Sequence, residues 1–423
     1  MKFGSSAATP ARTEQVYEHP VQAGGRPPLT YSAVREVSSG FRQHTGSKMP
    51  ASRAVYNRRM ADPDSRRYHR LQLVLRLTRL ALGAGYLLAL LLAGGGPLLA
   101  AFAARVTASE PVQVALVAAA LGVGHAMLGA PFVWLSSWIL PRRYGLLHQS
   151  LAGWLADRVK SIALGAVIGL AGVEVVYALL RSTPLWWLVS AAVAFAFAIA
   201  MTAVVPIWIL PLFYRLTPLA DTTLTTRLLA LADRAGVRAV GVWIADQSRK
   251  SRTANAAVIG LGRTRRILLY DTLAAGFGRE EIEAVLAHEL GHHAHGDIRR
   301  GLAVHGVLGV VTFWLADQAL RAGVGHLGYA SIADPAGLPW LALVFAVLGL
   351  VSTPLVNAFS RHVERQADDF ALALTRDPVG FIGAMERLAT LNLAERRPHP
   401  LKEALLYSHP ALERRIARAR AFA

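Results

Sequence analysis

The sequence contains no cysteine in its 423 residues. Disulfide bonds, thiolate metal ligands and cysteine nucleophiles are therefore excluded, and any zinc site must use histidine, aspartate or glutamate. Charged residues are also scarce, at 17%, whereas hydrophobic residues make up 53% and the mean hydropathy is +0.36. A soluble domain of this length rarely has such a composition, so the sequence predicts a membrane protein.

Six apolar segments are long enough to cross a bilayer, which requires about 20 residues in a helix. Because the number of spans is even, both termini are expected on the same side of the membrane. The predicted spans are Leu80–Ala104, Val112–Ile139, Ile162–Leu180, Leu185–Tyr214, Leu302–Leu320 and Leu338–Val356.

Acidic residues are fewer than basic ones, 27 against 45, and the basic residues concentrate at one set of span ends. Arginine and lysine are frequent before the first span and between the second and third, whereas the opposite loops contain little beyond Arg105, Arg181 and Arg321. Basic residues near span ends are retained in the cytoplasm, so both termini and the segment after Tyr214 are predicted to be cytoplasmic. Charge at membrane borders favours a lipid bilayer as partner, and we predict no nucleic-acid binding.

The first seventy residues are polar and basic, and they lack an apolar core of signal-peptide length. Such a composition does not bury enough apolar surface to fold, so we predict a disordered cytoplasmic tail over residues 1–70. The first membrane span is then expected to serve as the insertion signal.

The pentapeptide from His288 to His292 places two histidines four residues apart, with Glu289 beside the first. On a helix this spacing directs both imidazoles to one side, where they can bind one zinc ion while the glutamate acts as a general base on water. Acidic residues at Glu280 and Glu281 and an apolar stripe after them favour a helix here. Chance alone produces this pattern in roughly one chain of this length in a hundred, so a third ligand is required.

A segment far along the chain offers that ligand. Glu364 and Asp368 are one helical turn apart, so Glu364 can complete the zinc site while Asp368 accepts a hydrogen bond from the outer nitrogen of a ligating histidine. The alternative is a solvated helix face on which both acids pair with Arg361 and Arg365.

Two further segments accompany these residues, Tyr407–Pro410 and Asn255–Leu273. Together with the pentapeptide and the segment Ser360–Asp368, they resemble the type I CAAX prenyl protease family of integral-membrane zinc endopeptidases. The resemblance extends from about Leu71 to the C-terminus. It departs at His293, where the family often has an aromatic residue, and in the N-terminal tail.

The resemblance implies further residues of the site. His409 and Arg415 are expected to line it, with His409 stabilising negative charge on the carbonyl oxygen under attack. Arg361, Asp368 and Arg415 are predicted to support the ligands. The alternative is that His409 has only a structural role, as a residue at the start of a helix that is followed by proline. Asp297 is expected at a helix end or beside a ligand rather than on the metal.

The segment Ala256–Tyr270 has the composition of a hairpin. The resemblance implies that one of its strands lies at a sheet edge near the metal, where an extended substrate pairs with main-chain groups of Asn255, Ala256, Ala257 and Val258. The alternative is an ordinary structural hairpin.

These observations predict a mainly α, polytopic helical membrane protein with about six transmembrane helices and a zincin-like cytoplasmic α+β catalytic domain. The last two spans split that domain. The predicted division is a tail over 1–70, spans one to four over 71–214, the first catalytic half over 215–300, spans five and six over 301–357, and the second catalytic half over 358–423.

The predicted function is endopeptidase hydrolysis with one zinc ion per chain, His288, His292 and Glu364 being the ligands. The substrates are expected to be membrane-associated proteins or peptides, including prenylated C-terminal peptides, whose last three residues the resembled family removes. The alternative is a zinc-binding transporter or signal transducer that cuts nothing. Glu289 favours the enzyme, because a structural zinc site has no use for an uncoordinated glutamate beside its first ligand.

Overall fold

The computed structural model of the protein describes residues 62–260 and 262–422. The predicted tail lies outside the described residues up to residue 61, and residues 62–70 form the first turns of a helix. The described chain is mostly helical and contains one small four-stranded sheet. The predicted fold class is therefore confirmed.

Most of the described chain lies in long helices. Two of them change locally to π-helix, over Leu135–Ile139 and Val205–Ile209. The helices are α1 (Asp62–Leu92), α2 (Gly95–Val106), α3 (Glu110–Arg143), α4 (Leu151–Ser182), α5 (Trp186–Phe213), α6 (Thr222–Arg234), α7 (Asp271–Gly276), α8 (Arg279–His295), α9 (Asp297–Gly323), α10 (Leu338–Thr375), α11 (Pro378–Leu391), α12 (Pro400–Leu406) and α13 (Leu412–Phe422). The strands are β1 (Leu216–Pro218), β2 (Val242–Ala245), β3 (Ala256–Ile259) and β4 (Arg266–Tyr270).

Among the described residues, six helices are long and apolar enough to cross a membrane: α1, α3, α4, α5, α9 and α10. The first span differs from the prediction, because Leu80–Ala104 is divided between α1 and α2. Gly94 adopts a left-handed backbone with φ 67° between them, a conformation that glycine reaches without steric cost. A β-carbon on Gly96 would overlap the carbonyl oxygen of Ala336, so the break also lets α2 pack closely on the segment before α10.

Polar contacts hold the membrane helices together at their two ends. At one end, Lys250 pairs with Asp157 of α4 at 2.6 Å, which ties that helix to the loop after β2. At the other end, the indole of Trp186 donates to the buried Asp317 at 2.6 Å. Between the ends, only 6–17% of each apolar window is buried inside the protein. Most of that surface therefore faces lipid or an internal space.

The sheet has the strand order β1-β2-β4-β3. Strands β2 and β4 are parallel. Within the described ranges β3 pairs antiparallel with β4 and with no other strand, so one side of β3 is a free edge there. A hydrophobic core joins the sheet to α6, α8 and α11 through side chains that are at most 1% exposed, among them Leu228, Ile267, Leu286 and Phe381. Burying each such side chain contributes about 1.5–3 kcal/mol, which fixes α8 against the sheet.

The helix α10 runs without a break from Leu338 to Thr375 and carries both the sixth span and Glu364. It approaches α8 closely at Gly291, the fourth residue of the pentapeptide. A β-carbon there would lie 3.1 Å from the Cα atom of Ala367 and 3.2 Å from the β-carbon of Phe370. Glycine at this position therefore allows the approach that brings the histidines of α8 to Glu364.

Candidate metal centre

His288 and His292 lie on one side of α8 and face Glu364 of α10. Their Nε2 atoms are 3.2 Å apart. The carboxylate of Glu364 is 3.3 Å from Nε2 of His288 and 3.6 Å from Nε2 of His292. One ligand atom from each of the three residues lies within 4.8 Å of the others. The structure thus brings together the three predicted ligands.

The other ring nitrogen of each histidine is held by a carboxylate. Nδ1 of His288 is 2.9 Å from Asp368, and Nδ1 of His292 is 3.0 Å from Asp297. Because an ionised carboxylate only accepts hydrogen bonds, both Nδ1 atoms carry the proton. In the neutral rings, both Nε2 lone pairs are then free and point at one another, which is the arrangement that a metal ion requires.

The donor set fits a divalent cation. The Oε2 atom of Glu364 is buried and makes no hydrogen bond of good geometry. A metal ion bound there would give this atom the partner that a buried polar atom needs. Burial lowers the pKa of His288, but its hydrogen bond to Asp368 and the nearby carboxylate of Glu364 outweigh burial and raise that pKa to about 9. The carboxylates therefore favour positive charge at this position. Two imidazoles and one carboxylate that leave a further position open are typical of catalytic zinc.

Glu289 adjoins His288 and is half-buried. Burial raises the pKa of its carboxyl group above the ordinary value, although the nearby His288 and His292 partly oppose the shift. A carboxylate with a raised pKa is a stronger proton acceptor at neutral pH. Its environment therefore suits the general base predicted from the sequence.

His409 reaches the same centre from the segment between α12 and α13. Its Nε2 atom is 3.1 Å from Glu364, and its side chain is 58% exposed. Its Nδ1 atom lies 2.9 Å from the hydroxyl of Ser408. Arg361 does not touch the three ligands, but it donates to the carbonyl of Tyr407 at 2.6 Å and so holds the segment that carries His409.

Arg415 lies behind His288. Its guanidinium makes two hydrogen bonds to Asp368, at 2.6 and 2.9 Å, and approaches Nδ1 of His288 at 3.4 Å. A bidentate pair of this kind fixes the carboxylate in one orientation. Asp368 and Arg415 therefore form a chain of support behind the first histidine.

The support of His292 involves residues that the sequence alone did not identify. Asp297 also accepts from Arg300 at 2.9 Å, and Arg300 donates to Gln366 at 2.7 Å. Asp297 reaches His292 because Gly296, with φ 67°, ends α8 and reverses the chain. Asp297 itself was expected at a helix end or beside a ligand, and Gly296 before it is a local signal of that helix end.

The segment from Asn255 to Val258 lies at the free edge of β3. The carbonyl of Asn255 accepts from Tyr270 of β4, so in the antiparallel register the main-chain groups of Ala256 and Val258 point to the free edge. His293 hydrogen-bonds the carbonyl of Val258 at 3.1 Å. His293, at which the sequence departs from the resembled family, thus links α8 directly to this strand.

Asn392, which the sequence analysis did not single out, secures the start of the same edge. Its side chain accepts from the main-chain N–H of Ala254 at 2.9 Å and donates to the carbonyl of Ala254 at 3.1 Å. Neither Asn392 nor its neighbours carry a local pattern that indicates this partner 138 residues away.

Two sequence profiles cover most of the chain. The profile of Peptidase family M48 matches residues 218–423, and the profile of the CAAX prenyl protease N-terminal region, with five membrane helices, matches residues 43–215. In the described part of that second range, the chain forms five apolar helices, α1 to α5.

Curated relatives agree with these profiles. The uncharacterized metalloprotease YhfN of Bacillus subtilis is 31% identical over 65% of this chain and 66% of its own length. A CAAX prenyl protease 1 homolog of Dictyostelium discoideum is 30% identical over 67% of this chain and 68% of its own. CAAX prenyl protease 1 of Saccharomyces cerevisiae is 28% identical over 69% and 68%. The chain spans about two thirds of the length of these relatives.

The crystal structure of S. mikatae Ste24p superimposes with a TM-score of 0.76 over 84% of this chain and 88% of that chain, at 23% sequence identity. The fold is therefore shared. The matched profiles confirm the predicted resemblance and favour the peptidase over the transporter or signal transducer. With six helices in its described part that can cross a membrane and the M48 profile over its C-terminal half, the chain belongs to Peptidase family M48 and is an integral-membrane metallopeptidase.

Proposed function

We propose that the metal of this peptidase is zinc, one ion per chain, held by His288, His292 and Glu364. The observation that carries the proposal is the convergence of two Nε2 atoms and one carboxylate within 4.8 Å, with each Nδ1 atom held by a carboxylate. A bound zinc ion supplies Lewis acidity, which lowers the pKa of water toward 7 and polarises a carbonyl group.

The chain's own residues handle protons and orientation. Glu289 accepts the proton of the attacking water and later delivers it to the leaving amine. His409, exposed at the rim and 3.1 Å from Glu364, donates to the carbonyl oxygen as negative charge develops there. The two histidines are kept in the tautomer with Nε2 unprotonated by one carboxylate each. These carboxylates are Asp368, which Arg415 supports, and Asp297.

The substrate is a peptide bound in extended form. Ala256 presents its main-chain groups and Val258 its N–H at the edge of β3, whereas the carbonyl of Val258 is already bonded to His293. A peptide strand added there needs no particular sequence. We propose substrates attached to the membrane close to the bond that is cut, among them prenylated C-terminal peptides. This proposal draws on the matched relatives named CAAX prenyl protease 1.

The test is cleavage of reporter peptides by the purified chain in detergent. We expect hydrolysis to stop when a chelator removes the metal and to return on addition of about one equivalent of zinc, with faster cleavage of a prenylated reporter than of the same peptide without the prenyl group. Restoration by another divalent ion but not by zinc would contradict the assignment of the metal. Equal rates for both reporters would contradict the preference for an anchored substrate.

We propose that the metal centre and both termini are cytoplasmic, and that residues 215–300 and 358–423 form the two halves of the catalytic part. The concentration of arginine and lysine at the catalytic ends of the spans supports this orientation.

Because the chain has no cysteine, single cysteines can be introduced at the exposed positions Thr223 and Ser331. An impermeant maleimide is expected to label Ser331→Cys in intact cells and Thr223→Cys only after permeabilisation. The reverse pattern would contradict the orientation.

A further inference from the structure

We infer that an arginine-lined cleft behind the metal centre binds a phosphate group, the headgroup of an anionic phospholipid being its source. The cleft has a volume of about 230 Å³ and lies between α10 and α13, beside α12. Five arginines line it: Arg361, Arg365, Arg414, Arg415 and Arg418. It lies behind the ligand atoms of the metal centre, and Asp368 and Arg415 border both.

Positive charge in the cleft exceeds negative charge among the described residues. Asp368 pairs with Arg415, Asp369 pairs with Arg418, and Glu403 is 3.5 Å from Arg414. The two arginines of α10 remain without a carboxylate among the described ion pairs. Arg361 donates to the carbonyls of Glu403 and Tyr407. Five guanidinium groups thus face three carboxylates.

A phosphate group matches this surplus. Its oxygens accept paired hydrogen bonds from guanidinium groups, which suits it to an arginine cluster. An anion with up to two negative charges would also relieve the repulsion between the unpaired cations. The volume of about 230 Å³ is several times the roughly 30 Å³ that one water occupies, so the cleft has room for more than solvent.

The arginine of the cleft that is nearest to the membrane, Arg361, lies at the level of the lipid headgroups. Arg361 is five residues beyond Val356, where the apolar segment of α10 ends, so it lies about 7 Å further along the helix. The headgroup layer on each side of the hydrocarbon core is about 5–7 Å thick. Arg361 therefore lies at the outer boundary of the layer that holds lipid phosphates, and Arg365, about 6 Å further along α10, lies beyond that layer.

The helix α12 extends the apolar surface of the span to the cleft. Asn357, directly after the apolar segment, donates to the carbonyl of Leu405 at 2.8 Å. Leu401 and Leu405 lie one turn apart on α12 and are 66% and 48% exposed. Two exposed leucines beside an arginine cluster are typical of a surface that meets the membrane interface.

The position of the cleft argues against the terminal carboxylate of a substrate as the anion. Asp368 and Arg415 contact His288 at Nδ1, whereas the ligand atom that faces Glu364 and His292 is Nε2. An anion in the cleft is therefore behind the imidazole, on the side away from the bond to be cut.

The test measures thermal unfolding of the full chain in detergent, titrated with dihexanoyl phosphatidic acid, dihexanoyl phosphatidylcholine or inorganic phosphate at constant ionic strength. We expect phosphatidic acid to raise the midpoint more than phosphatidylcholine does. The apparent affinity should fall at least about tenfold in Arg365→Gln/Arg414→Gln, because each lost charged hydrogen bond weakens binding strongly. The matched control is Arg420→Gln, an exposed arginine of α13 outside the cleft.

Each outcome decides the proposal. If inorganic phosphate acts at the same concentration as phosphatidic acid, the phosphate site is supported and free phosphate is its source. No shift in the wild type, or equal affinity in the double variant and the control, would overturn the proposal. If the double variant does not fold, Arg365→Gln alone is compared with Arg420→Gln.

Discussion

Replacement of Glu289 by glutamine is expected to lower kcat by about 10²–10⁴-fold while the bound zinc stays at one ion per chain. Glutamine has nearly the same shape but does not accept a proton from water. The ligand atoms of His288, His292 and Glu364 are not altered by the change. The measurement is the steady-state rate of reporter cleavage, with metal counted in the same sample.

The matched control for this substitution is Glu280→Gln, at the start of the same helix with a side chain that is 61% exposed. We expect it to retain the wild-type rate. If Glu289→Gln loses its zinc, the residue is a ligand or a support rather than the base. If it keeps both zinc and rate, another group accepts the proton.

Replacement of Glu364 by alanine is expected to remove the metal and all measurable cleavage. The change deletes a ligand from α10 and leaves two histidines on α8, which alone do not fill a catalytic zinc site. Loss of a residue that only supports a ligand costs about 10–100-fold in metal affinity, so loss of the ligand itself should exceed that. Zinc retained after dialysis against a competing chelator is the measurement.

The comparison for this change is Glu386→Ala on α11, away from the three ligands, where Glu386 is 3.9 Å from Arg396. It should keep one zinc ion per chain. Wild-type zinc affinity in Glu364→Ala would instead show that His409 or another group serves as the third ligand. That result would also leave the contact between His409 and Glu364 without an explanation at the metal site.

The metal-binding helix was predictable because its signal is local. The spacing of His288 and His292 determines their common face as soon as the segment is helical. Glu364 was predictable only as a candidate, since 72 residues separate it from His292, and the resemblance identified it. The approach of α10, which carries Glu364, to α8 depends on the absence of a side chain at Gly291. Hydrophobic periodicity does not reveal such a close approach.

Other features of the fold and of the site depend on contacts between segments that are distant in the sequence. Composition predicted the hairpin that is formed by β3 and β4, but only the sheet order shows that β3, rather than β4, lies at an edge. Asn392 reaches Ala254 across the fold without a local signal. The first span was predicted as one segment, because hydropathy counts apolar residues and does not register the left-handed turn at Gly94.

Because α10 is continuous, the distance from the end of its apolar segment to Glu364 is fixed. Glu364 is eight residues beyond Val356 on the same helix, so its backbone stands about 12 Å from the end of the apolar segment. An extended chain covers that distance in about four residues. For a substrate anchored in the bilayer, we expect the bond that is cut to be selected by its distance from the anchor. A thinner or thicker bilayer is then expected to move the cut along the substrate chain.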